Sequence, residues 1–340
     1  MIKRKTPRIN SGSRSVSCLE KVRIGGMEQW LLMRGKSVRL PVLLWLHGGP
    51  GSAQIGFAPS FQRDLEQHFI VVNWDQRGAG LSFRKDISPD TMRVERFISD
   101  AREVIEYVRN KFRQNKIFIA GHSWGSILGI KLAERYPELF HAYIGIGQVV
   151  HMEKGERISY QYALRKAREE GHARAEQELS ALGENAYTDY RKLAIQRKWL
   201  RTFHGVMYRQ RVDQLLVPRL LRSSEYNLMD LFRFVRGSLF SIKHMWEEVC
   251  RTNLENVTEL QIPVFLCMGR HDYNTPSELA EAFFNNLQAP VKTWEWFENS
   301  AHCPHFEEPE KMNKHLIYLL RKEMNGLSLV QPDRITKRTP

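Results

Sequence analysis

The feature that most narrows the folds open to this chain is the stretch Ile117-Phe118-Ile119-Ala120-Gly121-His122-Ser123-Trp124-Gly125-Ser126. Three apolar residues run into Gly-x-Ser-x-Gly, and Leu128, Leu132, Ala133 and Tyr136 then recur at helical spacing before Pro137. A short apolar run reads as a buried strand, and the periodic segment as a helix that closes ahead of the proline. Only a very tight turn fits between them. Such a turn lifts Ser123 Oγ clear of the backbone at the positive end of the helix. It also needs small residues at 121 and 125, because strand and helix pass close together there. Gly-x-Ser-x-Gly alone is a weak signal, and its strand–turn–helix setting gives it content.

The chain around this element repeats one theme, a buried strand followed by a chemically rich loop. Residues 18–23 and 28–33 alternate as two strands of an opening hairpin with Gly25-Gly26 at its turn. Residues 41–46 form a continuous apolar run, as in a strand buried on both faces, and end in His47-Gly48-Gly49-Pro50-Gly51. A glycine-rich loop at a strand's carboxyl end can turn backbone N–H groups toward a ligand. A second buried strand, 69–74, leads into Asp75-Gln76-Arg77-Gly78-Ala79-Gly80-Leu81-Ser82. Asp75 and Arg77 read as an ion-pair or hydrogen-bond clasp that holds this loop beneath the site. Residues 97–113 have helical spacing and 141–149 supply another strand.

At about residue 150 the pattern changes. As far as about 257 there is no strand-like run, only charged helical patterns at 160–181 and 187–207 and an aromatic-rich piece at 226–246. This reads as an all-helical cap inserted between strands. The sheet resumes at 262–269, with Asp272 just past it. A helix over 277–287 and a strand over 291–297 lead to His302, and a closing helix spans 309–322. The expected organisation is therefore a catalytic α/β domain from 17–149 and 258–325, with a helical cap at 150–257. A basic, disordered tail at 1–16 and a C-terminal tail at 326–340 flank it.

Composition excludes several classes. A chain of 340 residues with 42% hydrophobic and 11% aromatic content can bury a large core. No apolar run is long enough to cross a bilayer, and no hydrophobic segment follows the basic start as a secretory signal would. Cys18, Cys250, Cys267 and Cys303 show neither paired nor metal-ligand spacing, which suits reduced thiols in a cytoplasmic protein. Part of the net charge of +13 sits at the ends: residues 1–16 hold five basic side chains and no acidic one. Solvated tails account for this without a nucleic-acid or membrane partner. HGGPG lacks the lysine of a phosphate-binding loop, and no metal or other cofactor is expected.

Ser123, Asp272 and His302 follow three different strands in the order Ser…Asp…His, the order expected of an α/β-hydrolase. These residue types suit nucleophilic attack on a carbonyl. His302 would accept the serine proton and return it to the leaving group, while Asp272 would orient the imidazole. The N–H groups of Trp124 and Gly49 are the candidates for meeting the negative oxygen.

Together HGGPG, DQRGAGLS, GHSWGS, GRHD and SAHCPHFEEPE resemble the prolyl aminopeptidase (proline iminopeptidase) family of α/β-hydrolase serine peptidases, over about 40–150 and 260–320. The resemblance implies a mostly parallel sheet flanked by helices. It also implies Ser123 as nucleophile, Asp272 as acid, His302 as base and Gly49 with Trp124 as oxyanion hole. His305, His122 and Cys303 are assigned to packing. Where the family often has glycine before the nucleophile, this chain has His122, and the cap lacks the Glu-Asn-(His/Phe)-Tyr-Phe signature.

An aminopeptidase must hold a protonated amine, so one of the cap carboxylates Glu225, Glu247 and Glu248 is expected to face the cavity over Ser123. Gly48 and Trp246 are expected beside it. The substrate is then a small molecule or short peptide. A carboxylesterase, lactonase or acyltransferase would use the same triad, and a non-catalytic binding module is the reading from another class. Oligomeric state stays open.

Overall fold

The computed structural model describes residues 4–9 and 14–326. Its frame is one eight-stranded sheet in the order β1-β2-β4-β3-β5-β6-β7-β8. β1 (Val16–Ile24) and β2 (Met27–Gly35) form the expected hairpin, and β2 pairs antiparallel with β4 (Ile70–Asp75). From β4 onward every pairing is parallel, through β3 (Val42–Leu46), β5 (Ile117–His122), β6 (Phe140–Ile146), β7 (Val264–Gly269) and β8 (Lys292–Phe297).

The continuous apolar runs are explained by burial on both faces. In β3, Val42, Leu44 and Leu46 enter one core with Ile117 and Ile119 of β5. Leu43 and Trp45 enter the other with Phe118 and Ala120. Successive side chains point to opposite faces, so a strand covered on both sides must be apolar throughout. The first face is covered by α2 (Val94–Phe112), α3 (Trp124–Arg135) and α9 (Ser277–Asn286), the second by α11 (Pro309–Met324). Two single-turn helices, α1 (Pro59–Gln62) and α10 (Pro304–Glu307), lie in the loops. This is the α/β-hydrolase architecture.

Between β6 and β7 the chain is helical: α4 (Met152–Glu169), α5 (Ala173–Leu182), α6 (Tyr190–Thr202), α7 (Val212–Leu221) and α8 (Leu228–Cys250). α4, α5 and α6 have a core of their own around Tyr160, Ala163, Leu179, Trp199 and Phe203. The helical pattern over 160–181 is two helices rather than one. The chain breaks at Gly171, whose φ of +62° an L side chain rarely adopts. α8 starts from a capping box in which Asn227 and Asp230 each bond the other's backbone N–H.

Residues 4–9 differ from the expected disordered tail. Arg4 forms two hydrogen bonds with the buried Asp230, at 2.6 and 2.7 Å, and stacks over Trp30. The Lys5 N–H donates to Ser224 O at 3.1 Å, and Pro7 O accepts from Arg34 at 2.7 Å. Of the basic charge that reads as a solvated tail, Arg4 thus has a buried acidic and an aromatic partner elsewhere in the fold, while Lys5, Arg8 and Arg14 are exposed. The C-terminal tail beyond 326 lies outside the described residues. Among the described residues no helix is long and apolar enough to cross a membrane, and all four cysteines are free thiols.

Candidate active site

β5 delivers Ser123 into the turn that the sequence demands. Its φ of +54° and ψ of −120° form a strained conformation for a residue with a Cβ, as a sharp strand-to-helix elbow requires. The elbow is held from both sides. Ser123 N–H donates to Ile146 O at 3.0 Å, and Ser126 Oγ donates to Ser123 O at 2.6 Å. Strand and helix pass so closely that a methyl group at Gly125 would overlap the Leu46 carbonyl. Trp124 opens α3, so its backbone N–H is among those with no acceptor inside the helix.

His302 and Asp272 arrive on the loops after β8 and β7. His302 Nδ1 lies 2.9 Å from Asp272 Oδ2. Asp272 Oδ1 accepts from the N–H groups of Asn274 and Thr275, each at 2.9 Å. Thr275 Oγ1 sits within hydrogen-bond distance of Asp272 Oδ2 (2.8 Å), His302 Nδ1 (3.0 Å) and Gly147 O (3.1 Å). The ring packs so tightly on Gly147 that a Cβ there would come within 2.9 Å of Nδ1. From the helical segment, Val206 O accepts the His302 N–H at 3.0 Å.

Around this pair stand three further buried histidines. His122 Nε2 donates to His302 O at 2.9 Å, so it fixes the backbone that carries the other imidazole. Burial, together with neighbouring imidazoles, holds its pKa well below the usual value. His47 donates from Nδ1 to Gly48 O at 2.8 Å and accepts the Gln76 N–H on Nε2 at 3.2 Å; burial lowers its pKa to about 4. Gln76 in turn accepts from the Trp124 indole at 2.9 Å and donates to His47 O at 3.1 Å. This ties the glycine loop to the helix that starts at the elbow. His305 packs between Trp45, His122 and Phe306 with no hydrogen-bond partner on either nitrogen, and burial takes its pKa to about 3. Burial also pushes the Cys303 thiol well above its usual range, which disfavours the thiolate.

The clasp in the loop after β4 is built differently from the expected one. Asp75 is gripped by Tyr226, which reaches in from the segment between α7 and α8. Arg77 instead pairs with the buried Asp100 of α2, at 2.8 Å.

Ser123, His302, Trp124, Gly48 and Gly49 open on one cavity of about 530 Å³. Its walls are mostly apolar and include Phe57, Leu193, Val212, Leu216, Phe234, Ile242 and Trp246. Gly48 and Trp246 are therefore where the sequence places them. The three glutamates are not. Glu247 is 82% exposed and pairs with Arg251 at 2.6 Å. Glu248 accepts the Val94 N–H at 3.0 Å at the start of α2. Glu225 bonds the hydroxyls of Ser223 and Ser224. The reason for the first two is helical geometry. With about 100° of rotation per residue, a helix that turns Trp246 to the cavity turns 247 and 248 away.

The carboxylate that does line the cavity is Glu156 of α4, beside Arg197 and Arg201 of α6. Glu156 accepts from Arg197 and, at 3.2 Å, from Gln196. Sequence reading missed this trio because charges at helical spacing are everywhere in residues 150–210, and nothing local marks those that face inward. Thr275 was nearer to legibility, as a hydroxyl three residues after Asp272 can fold back on it. Among the described residues no group of three or more His, Cys, Asp or Glu side chains is placed to hold a metal ion.

A sequence profile of the alpha/beta hydrolase fold matches residues 41–309. A probable aminopeptidase of Bacillus subtilis (strain 168) is 37% identical over 302 residues, covering 87% of this chain and 94% of the relative. A proline iminopeptidase of Heyndrickxia coagulans is 25% identical over 283 residues, covering 80% and 87%. The solved structure of a proline iminopeptidase from Mycobacterium smegmatis superposes with a TM-score of 0.63 at 18% identity, covering 92% of this chain and all of that one. At that identity it speaks for the fold alone.

Proposed function

This chain belongs to the alpha/beta hydrolase fold family, and from that premise we propose that it is a serine hydrolase working through an acyl-enzyme on Ser123. The observation that carries the reading is the His302–Asp272 hydrogen bond at the wall of the cavity into which the strained Ser123 elbow opens. In this mechanism Ser123 Oγ attacks a carbonyl while His302 Nε2 takes its proton. Asp272, held by two backbone N–H groups and Thr275, keeps the proton on Nδ1 and stabilises the imidazolium. The Trp124 N–H and a glycine-loop N–H, assigned to Gly49, receive the oxyanion. One such donor is typically worth about 3–4 kcal/mol. His302 then protonates the leaving group, and a water attacks the ester by the same route in reverse.

The names of the sequence relatives support an aminopeptidase acting on a short peptide. In that reading Glu156 is the cavity carboxylate available to the substrate's amine. A carboxylesterase is favoured by one observation, that both Glu156 oxygens already accept hydrogen bonds from α6. Proline-, alanine- and leucine-naphthylamides assayed beside p-nitrophenyl esters decide between them. Ser123→Ala should lose at least a thousandfold in kcat on every substrate that is turned over, with an unchanged circular dichroism spectrum. A variant that keeps more than a few per cent of the activity would remove Ser123 from the mechanism.

A further inference from the structure

The α6 wall of the cavity has an excess of positive charge. Leu193, Arg197 and Arg201 recur every four residues and line the cavity together, so both guanidiniums belong to one helix face. Glu156, Arg197 and Arg201 are the acidic and basic side chains among its lining residues. A single carboxylate therefore faces two cations. It is also already committed, to Arg197 on one oxygen and Gln196 on the other.

The two arginines are not equally satisfied. Arg197 uses one terminal nitrogen on Glu156, and the other is buried with no hydrogen-bond partner. That nitrogen is closed to solvent, so Arg197 contributes its charge to the cavity wall and Arg201 the free donors. Arg201 makes no ion pair or side-chain hydrogen bond with any described residue. Partial burial and the charge of Arg197 lower its pKa, the direction expected of a cation short of a counter-anion. One helical turn, about 6 Å of rise, separates the pair, so a carboxylate can lie between them.

From this we infer that the cavity holds a carboxylate-binding subsite formed by Arg197 and Arg201, and that substrates hydrolysed at Ser123 carry a free carboxylate. The inference rests on Ser123 being the nucleophile. The carboxylate has two sources. It is either the far end of the acyl group, as in a monoester of a dicarboxylic acid, or the free C-terminus of a short peptide on the leaving side. In both cases Glu156 holds Arg197 in place. A substrate offering only a protonated amine meets a net positive wall, which disfavours it.

The test compares kcat/KM within matched pairs. On the acyl side, p-nitrophenyl monoesters of four- to seven-carbon dicarboxylic acids are set against methyl-terminated esters of equal length. On the leaving side, dipeptides are set against their C-terminal amides. Wild type should favour the carboxylate member of one series at least tenfold, and the series names the source. In Arg201→Met that ratio should fall to within about twofold of unity, and in Arg201→Glu it should invert toward ω-amino esters or peptide amides. Arg201 keeps part of its surface in solvent and holds no ion pair with any described residue, so both variants should fold. No preference in either series, or a preference that survives both substitutions, overturns the subsite. Turnover of no member of either series by wild type, or turnover that survives Ser123→Ala, would instead count against the serine-hydrolase reading. The two failures are therefore distinguishable.

Discussion

A histidine with no partner for either nitrogen is a measurable liability, and His305 is such a residue. In water its imidazole takes up a proton below about pH 6.5; in the fold, burial delays this to about pH 3. Between those values the unfolded chain binds the extra proton, so stability falls as the pH drops through 6.5 and goes on falling toward 3. The His305→Leu variant keeps the packing against Trp45 and Phe306 and removes the titration. It should therefore recover about 2 kcal/mol of the stability lost between pH 8 and pH 5. Urea melts of both proteins at the two pH values read this directly. An identical loss in the variant would mean that His305 is already charged, or already solvated, in the native state. His122 and His47 are depressed in the same direction. His122 Nε2 and both His47 nitrogens are hydrogen-bonded, however, so replacing either residue breaks the support of His302 or of the glycine loop.

Tyr226 joins the segment between α7 and α8 to the sheet through one buried hydrogen bond. Its hydroxyl donates to Asp75 Oδ2, which also accepts the Leu81 N–H at 2.9 Å. Burial pushes Asp75 up to about 7. The unfolded carboxyl ionises near pH 4 and the folded one only near 7, so this group lowers stability progressively as the pH rises from 4 to 7. Tyr226→Phe removes a donor from a carboxylate that is ionised above pH 7, where the loss should be about 1–3 kcal/mol. At pH 5 Asp75 is protonated and the loss should be smaller. Equal losses at pH 5 and pH 8 would count against this placement of the charge.

Residues 4–9 tie together parts of the molecule that lie far apart in the chain. Arg4 reaches Asp230 in α8, and Pro7 O bonds Arg34 in β2, which also pairs with Glu66 at 2.7 Å. α8 in turn supplies Phe234 and Ile242 to the cavity. Removing residues 1–9 leaves the fully buried Asp230 with Arg233 at 3.2 Å and the Asn227 N–H, and strips its bidentate partner. Such a deletion should cost about 1–3 kcal/mol and lower Tm by several degrees. Arg4→Ala should account for most of that loss. A melt unchanged by both would mean that the segment leaves the surface in solution.

What the sequence determined by itself was everything carried by neighbours along the chain. Apolar runs of five or six residues become strands because both faces of the sheet are covered. A Gly-x-Ser-x-Gly between strand and helix permits only one sharp turn. Asp272 and His302 fall just beyond strands because the chain must loop there. The azimuth of each helix around its own axis came only from the tertiary structure. It turned Trp246 inward and Glu247 outward, and it brought Glu156 and Arg197, 41 residues apart, into one wall. That azimuth is set by packing against distant segments. A charged residue at helical spacing looks the same in the sequence whether it faces water or a cavity.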